Sequence, residues 1–292
     1  MTDRHDEDPA IIGSAADPDA GPRAADRWAG WHAWLESPPG RYLLDWEMAA
    51  LDAAVVDVFG YHALQCGTPG QDFLRANRMP HRIIAHTGAA TVLAAPAGQS
   101  SLAIDQFEEL PFATQSLDLV VLAHVLEMAP DPHQVLREVD RVLRPEGRVI
   151  ITGFNPVSLW GLREMLGLPL GFGFLPPGAR PISLLRLRDW LRLLNCSPAV
   201  SQHGCFRPAC RSDRWLQRFA FVEQAGDRWW PILGAVYLQA AIKRLPGMTL
   251  QGPVWRKRFS ARTSAPVATH RGTCNRESVE VGSAGPLGPP SA

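Results

Sequence analysis

Two side chains with acid–base chemistry, His124 and Glu127, follow directly after a short apolar run, Leu117–Ala123. The run is nearly unbroken, as expected for a strand of a parallel sheet that is buried on both faces. Ligands of open α/β sheets bind outside the carboxyl ends of the strands, so we expect both side chains to face a binding site. A histidine there can accept a proton near neutral pH, which makes His124 the candidate general base. The alternatives are that His124 lines the site or is only structural.

The residues that follow predict the elements that position this pair. Asp131 and Pro132 indicate a helix start, with Asp131 as N-cap and the proline at the first helical position. Apolar residues then repeat with helical period. Arg144–Gly147 predicts a turn, and Arg148–Thr152 predicts a second apolar strand. A strand, a helix, a turn and a strand in this length indicate a parallel βαβ unit.

Further strands and helices are predicted on both sides of this unit. The predicted strands are Tyr61–Cys66, Arg82–His86, Ser101–Asp105, Ala199–Phe206 and Gly234–Gln239, of which the last two are expected to be antiparallel. The predicted helices are Arg41–Phe59, Gln71–Arg78, Ser158–Leu166, Ser183–Leu194 and much of Arg207–Gly226. In Ser183–Leu194 the leucines are expected to face inward and Arg186, Arg188 and Arg192 outward.

Three tryptophans near the N-terminus lie at helical spacing. Trp28, Trp31 and Trp34 predict a short amphipathic helix that ends before the residues Ser37–Gly40. Such an apolar stripe is usually core. The alternative is a cap of aromatic rings over the edge of the sheet where a ligand binds.

Composition sets the expected domain boundaries. Residues 1–27 are rich in Asp, Pro, Ala and Gly without periodicity and are predicted to be disordered, and residues 28–60 form a helical N-terminal extension. Residues 61–245 form one α/β domain, and residues 246–292 form a tail that is first basic and then of low complexity. Within the domain, the Gly-, Pro- and Phe-rich segment Gly167–Pro181 predicts a mobile loop that covers a binding pocket.

The order of three segments carries a family resemblance. These are LPF at Leu110–Phe112, DLVVLAHVLE at Asp118–Glu127 and DPHQVLREVDRVLRPEGRVIITGFNP at Asp131–Pro156. They resemble the second half of a class I S-adenosylmethionine-dependent methyltransferase, closest to an uncharacterised bacterial branch of the type 11 group. The resemblance covers roughly Tyr61–Pro156. It implies an α/β fold with a Rossmann-like class I methyltransferase sheet, helices on both faces, and the helical N-terminal extension outside it.

The resemblance also implies a cofactor, S-adenosylmethionine, and methyl transfer to an unidentified acceptor, which we expect to be a small molecule. By similarity, the cofactor would lie on residues from the carboxyl ends of four strands: Gln65, Cys66, Gly67, Gly70, His86, Gln106, Phe107, Ala123 and His124. Glycines let the backbone approach the cofactor, and the predicted helix from Gln71 would hold the cofactor's carboxylate at its positive end.

The chain departs from the family pattern at several of these positions. Gln65 stands where the family has an acid, and Pro69 stands near the middle glycine. No acid ends the second strand, so that His86 or Thr87 would have to bind the ribose hydroxyls as neutral partners. Losing a charged hydrogen-bond acceptor should lower cofactor affinity by about 1.5–3 kcal/mol. These departures support a second hypothesis, a catalytically inactive binding or scaffold protein with the methyltransferase fold.

A third hypothesis, a nucleic-acid methyltransferase or binder, depends on charge. The formal net charge is zero, yet residues 156–262 carry 16 Arg or Lys against 5 Asp or Glu, so that this part has a charge of +11 and the remainder −11. A basic half can indicate an anionic partner. Arginines scattered over solvated helix faces give the same count, and we prefer that interpretation because the basic residues form no single run.

The sequence argues against several other classes of protein. The five cysteines form no CxxC pair, which indicates reduced thiols and no metal site. The N-terminal residues lack the apolar core of a signal peptide, and no stretch reaches the ~18 apolar residues of a membrane span. A cytoplasmic location is therefore expected.

Overall fold

The central element of the fold is a single mixed sheet. The structure is a computed structural model that describes residues 24–68, 70–87, 99–167 and 172–244. Within these ranges, seven strands form one sheet in the order β3-β2-β1-β4-β5-β7-β6, in which only β7 runs antiparallel to its neighbours. The strands are β1 (His62–Cys66), β2 (His81–Thr87), β3 (Ser100–Ile104), β4 (Leu117–Ala123), β5 (Leu143–Phe154), β6 (Cys196–Gly204) and β7 (Val236–Lys243).

Helices cover both faces of this sheet, as the predicted fold class requires. They are α1 (Ala24–Leu35), α2 (Pro38–Val55), α3 (Val125–Met128), α4 (Pro132–Val142), α5 (Leu159–Gly167), α6 (Leu184–Leu193), α7 (Asp213–Arg218) and α8 (Phe221–Trp229), followed by a 3-10 helix at Pro231–Leu233. One apolar cluster joins a face of the sheet to α1, α4 and α6. A second cluster joins the other face to α2 and to residues 73–79. The α/β fold class is confirmed.

The predicted βαβ unit is confirmed with one change. Asp131 caps α4, since its carboxylate accepts hydrogen bonds from the backbone N–H groups of His133 and Gln134. The predicted turn Arg144–Gly147 instead lies inside β5. The pairing of β4 with β5 jumps there, from Leu117 opposite Leu143 to Leu119 opposite Arg148, so that the residues expected to form a turn form a bulge.

The predicted helix Gln71–Arg78 is wrong. The described residues of this connection form turns, and they reach β2 without a helix. The side-chain amide of Gln65 donates to two backbone carbonyls of the connection and accepts from the N–H of Phe73. Asp72 accepts from the N–H of Leu74 in an Asx turn. Backbone groups that a helix would pair internally are therefore satisfied by side chains, and the cofactor's carboxylate finds no helix N-terminus here.

The N-terminal extension contains both predicted helices, but the boundary between them differs from the prediction. Ser37 is the N-cap of α2, with its hydroxyl accepting from the N–H of Gly40, and Pro38 and Pro39 form the first turn. Residues that we expected to end one helix thus begin the next, and α2 ends at Val55. Predictions for residues 1–23, Pro69 and the tail from residue 245 lie outside the described residues.

The C-terminal part of the domain departs further from expectation. The two predicted last strands are confirmed as the antiparallel pair β6 and β7, with bounds shifted by two to four residues. Arg188 of α6, however, turns onto the sheet, where it donates to Gln239 and Ser201. The described part of the predicted loop, residues 172–181, contains no helix or strand. It is nevertheless packed, because Phe174 and Leu175 are buried and Glu164 accepts hydrogen bonds from both of their N–H groups.

Candidate functional site

The carboxyl ends of β1, β2, β4 and β5 meet at one edge of the sheet, and His124 lies at their centre. It follows β4 as the first residue before α3, in the left-handed region with φ of 56°. Its imidazole is fully buried between two carboxylates. Nδ1 lies 2.6 Å from Oε2 of Glu127, and Nε2 lies 2.9 Å from Oε1 of Glu47, a residue of α2. The two predicted residues are thus brought together with a third that the sequence analysis missed.

The charges of this cluster determine what His124 can do. Burial alone lowers the pKa of His124, but the nearby carboxylates of Glu47 and Glu127 raise the pKa to about 10. Burial raises the pKa of Glu127, which also accepts a hydrogen bond from the N–H of Phe154. An imidazolium held by two acids has no lone pair with which to take a proton at neutral pH. The geometry therefore favours a positioning role for His124 over the predicted role of general base.

Sequence spacing contained a sign of Glu47. It lies four residues after Leu43 and four before Leu51, and both leucines are fully buried. A carboxylate at an apolar position of a helix implies a buried partner, since an unpaired buried charge is costly. The partner itself could not be read from the sequence.

Tryptophan side chains of α1 cover this edge of the sheet. Trp31 is fully buried, and its indole N–H donates to the hydroxyl of Thr68 at 3.0 Å. Its ring centroid lies 4.7 Å from that of His124, while Trp28 packs edge-on against Phe107 at 5.9 Å. The stripe is therefore part of the core, as the more usual interpretation holds, and at the same time it lies over the strand ends.

Gly67, in the loop after β1, has a backbone conformation that favours glycine, and the packing of the sheet explains why. Gly67 has φ of +114°, and a Cβ there would lie 2.5 Å from the carbonyl oxygen of Ala123. Glycine is thus required by the close approach of β1 to β4. Cys66 is buried, and burial raises the pKa of its thiol, which makes it unreactive. Gly70, further along the same connection between β1 and β2, also has a positive φ, +85°.

Unpaired polar groups lie at the end of β2. The imidazole Nε2 of His86 lies 2.9 Å from the hydroxyl of Ser101. Its Nδ1 and the hydroxyl of Thr87 are buried and have no hydrogen-bond partner among the described residues. Such orphaned groups are unusual in a folded protein and indicate a missing partner. Phe107 is buried nearby under Trp28, whereas the predicted cofactor residue Gln106 is exposed.

A second polar cluster, which the sequence analysis did not identify, lines an open cleft beside α2. The hydroxyl of Tyr42 donates to Glu223, and the guanidinium of Arg207 lies 4.4 Å from the centre of the Tyr42 ring. These residues line a cavity of about 500 Å³. Cys205 adjoins this cluster, since its backbone N–H donates to Glu223, and burial and the charges of Glu223 and Glu47 raise the pKa of its thiol.

The strand order, with its single antiparallel strand at β7, is that of the class I S-adenosylmethionine-dependent methyltransferases. Residues 64–151 match the family model described as a methyltransferase domain. S-adenosylmethionine is the cofactor that such a domain implies. In the described part of the chain, no cluster of His, Cys, Asp or Glu could hold a metal ion.

Known proteins resemble parts of the chain. "Uncharacterized protein YafS" of Escherichia coli is 48% identical over 86 residues, 30% of this chain and 35% of that protein. The ubiquinone/menaquinone biosynthesis C-methyltransferase UbiE of Hahella chejuensis is 46% identical over 69 residues, 22% of this chain and 28% of that protein. The chain thus spans about a third or less of these relatives. Among solved structures, the methyltransferase partner of the Trm112 activator from Haloferax volcanii has a TM-score of 0.54, with 19% identity and coverage of 73% of this chain and 97% of that one. That likeness establishes the fold.

The described residues fit the implied cofactor in part. The orphaned groups of His86 and Thr87 lie at the end of β2, where the resemblance led us to expect the ribose, and they are of the kind that can bind hydroxyls. At the methionine end the fit fails in the present conformation, because Trp31 contacts both Thr68 and His124 there. If the methionine part binds at these residues, Trp31 has to leave them, and α1 has to move with it.

Proposed function

We propose that the protein transfers the methyl group of S-adenosylmethionine to a small-molecule acceptor. The observation that carries this proposal is the pair of orphaned groups on His86 and Thr87, at the cofactor edge of a methyltransferase sheet. Buried polar groups without partners cost free energy, so their retention at this edge is explained if a ligand hydroxyl completes them. The similarity to UbiE, whose name describes a C-methyltransferase of quinone biosynthesis, supports a small acceptor.

In this proposal the residues of the chain bind and align. The loop at Gly67 offers backbone groups, His86 and Thr87 bind the ribose hydroxyls, and Phe107 lies beside the adenine. When bound, the cofactor supplies a methyl group on a sulfonium, which reacts with a nucleophile that is aligned with it. Methyl transfer then depends mainly on alignment. His124 contributes by fixing the end of β4 through its ion pairs with Glu47 and Glu127.

The cleft beside α2 is the proposed path for the acceptor. Arg41, Asp45, Tyr42, Arg207 and Glu223 make it polar and charged. Groups of this kind orient a polar acceptor through hydrogen bonds and ion pairs. The cleft and the His124 cluster share helix α2, since Tyr42 and Asp45 line the cleft and Glu47 pairs with His124.

A binding or scaffold protein is the second candidate function, and Trp31 favours it. The side chain of Trp31 already fills part of the site. The side-chain amide of Gln65 makes its hydrogen bonds to the backbone of the loop, which leaves it unavailable to a ligand. A fold that has closed its own cofactor site would keep the domain and lose the reaction.

Calorimetric titration with S-adenosylhomocysteine separates the two candidates. For the enzyme we expect binding of the folded protein, weakened about threefold to tenfold in Thr87→Val, which removes one hydroxyl at nearly constant shape. Leu185→Val, a change at an exposed position of α6, is the control and should leave binding unchanged. Transfer of radiolabelled methyl groups to small molecules of a cell extract would then identify the acceptor. No binding at millimolar ligand would favour the scaffold.

A further inference from the structure

Helix α5 carries apolar side chains on both of its faces. Its inner face buries Trp160, Gly161 and Glu164. Its outer face should be polar in an ordinary surface helix. Instead Leu159, Leu162, Met165 and Leu166 are exposed, with Met165 at 64%.

A second exposed apolar segment lies beside the start of α5. Trp229 and Ile232 are 71% and 70% exposed, and Trp230 and Leu233 are exposed with them. Asn155 fixes the two segments together. Its side-chain N–H groups donate to the carbonyls of Ile232 and Gly234, and its oxygen accepts from the N–H of Val157. We call this surface the apolar patch: Val157, Leu159, Leu162, Met165, Leu166, Trp229, Trp230, Ile232 and Leu233. Large exposed apolar side chains on two segments that are joined in this way indicate an interaction site.

Exposed arginines accompany the apolar patch on α5 and α8 and occur on and just before α7. These exposed arginines are Arg163 on α5, Arg211 just before α7, Arg214 and Arg218 on α7, and Arg228 on α8. Arg163 and Arg211 also bind the backbone, since they donate to the carbonyls of Ala209 and Gly173. Two acids of the region turn inward: Glu164 binds backbone N–H groups, and Glu223 binds Tyr42. Asp213 and Asp227 are exposed on the same helices, so that these five arginines stand against two exposed aspartates and the net charge is positive.

We propose that the apolar patch docks on the surface of an anionic lipid bilayer. Tryptophans prefer the depth of the lipid headgroups, aliphatic side chains enter the acyl boundary, and arginines bind the phosphates around them. A second copy of the chain is a poorer fit, because it would bring two positively charged surfaces together. The described helices include none that is long and apolar enough to cross a membrane.

The position of the apolar patch gives the contact a use. Pro231, at the start of the 3-10 helix, lines a second cleft of about 490 Å³ with Trp46 and Glu223, next to the proposed path for the acceptor. A protein seated by the apolar patch would therefore have this side of the domain at the bilayer surface.

Flotation of the purified full chain with vesicles tests the proposal without any assay of methyl transfer. We expect binding to vesicles of phosphatidylcholine mixed with phosphatidylglycerol, weaker binding to phosphatidylcholine alone, and weakening by salt. Trp229→Ser with Ile232→Ser should lower the partition constant roughly tenfold or more, and so should Leu162→Ser with Met165→Ser. Arg214→Glu with Arg218→Glu should remove the preference for the anionic lipid.

The matched control is Leu185→Ser with Leu193→Ser, two exposed leucines of α6 outside the apolar patch. This variant should bind as the native chain does, and circular dichroism should give native spectra for all variants. Equal binding by the patch variants and the native chain would overturn the proposal. Binding that is lost in a chain ending at Gly252 and kept in the patch variants would overturn it too. So would native protein that ignores vesicles but forms dimers that the patch variants cannot form.

Discussion

Replacing Trp31 with alanine tests whether α1 must leave the site when cofactor binds. Truncation of a buried tryptophan costs about 3–5 kcal/mol, and the hydrogen bond to Thr68 is part of that loss. This loss of free energy destabilises the closed arrangement, in which Trp31 contacts His124, more than an arrangement in which α1 has moved away. If binding requires this arrangement to open, a gain of only about 1.4 kcal/mol in the open state makes S-adenosylhomocysteine bind tenfold more tightly. Calorimetric titration measures the change directly.

Trp160→Ala is the matched control. Trp160 is also buried in the same apolar cluster, but its indole N–H donates to the carbonyl of Arg207, away from the cofactor loop. Both variants should lose a similar amount of unfolding free energy in urea, and only Trp31→Ala should gain affinity. If Trp31→Ala binds the ligand no better than the native chain, or if Trp160→Ala gains as much, α1 does not compete with the cofactor.

Three further changes test the strand ends. Gly67→Ala should lower the unfolding free energy by about 1–2 kcal/mol or more, because alanine is strained at positive φ and its Cβ meets the carbonyl of Ala123. Urea denaturation measures this loss of stability, and an unchanged midpoint would refute the close approach of the two strands. Gln65→Glu should destabilise by about 1–3 kcal/mol without improving ligand binding, since a carboxylate cannot donate to the loop carbonyls that the amide now serves; tighter binding would show that the acid is missed. His124 has a folded pKa of about 10, raised above its unfolded value, so its stabilising contribution is complete below about pH 6.5 and is lost as pH rises to about 10. His124→Asn should remove this slope in urea denaturation and should destabilise the chain at neutral pH, because the buried carboxylates then lack their cation. A variant that keeps the native slope would contradict the ion-pair cluster.

The elements that could be predicted are those whose causes are local in the chain. β4 has the predicted bounds, and α4 begins at its predicted cap, because an apolar run and an Asp-Pro pair act on their own residues. The helix Gln71–Arg78 was mispredicted because its competitor, the amide of Gln65, lies in the preceding strand. The helix propensity of residues 71–78 alone gives no information about that hydrogen bond.

The position of the candidate site could be predicted from the sequence, but the charge and contacts of its residues could be predicted only in part. The sheet rule places His124 at the strand ends, and the structure has it there. Its charge depends on Glu47, which is 77 positions away in the chain and on another helix. Likewise, helical spacing predicts that Trp31 is buried without telling what it covers. Both facts arise when α1 and α2 close over the sheet.

The contacts of α1 also set an order of events during synthesis and folding. Trp31 binds Thr68, and Trp34 donates to the carbonyl of Phe174, which is made 140 residues later. The helix is the first described element to leave the ribosome, yet it cannot take its place until the segment after α5 has been made. Contacts this distant in sequence form late, because the loop they close is long. The N-terminal helix should therefore be the last part of the domain to settle, and until then its tryptophans must stay exposed.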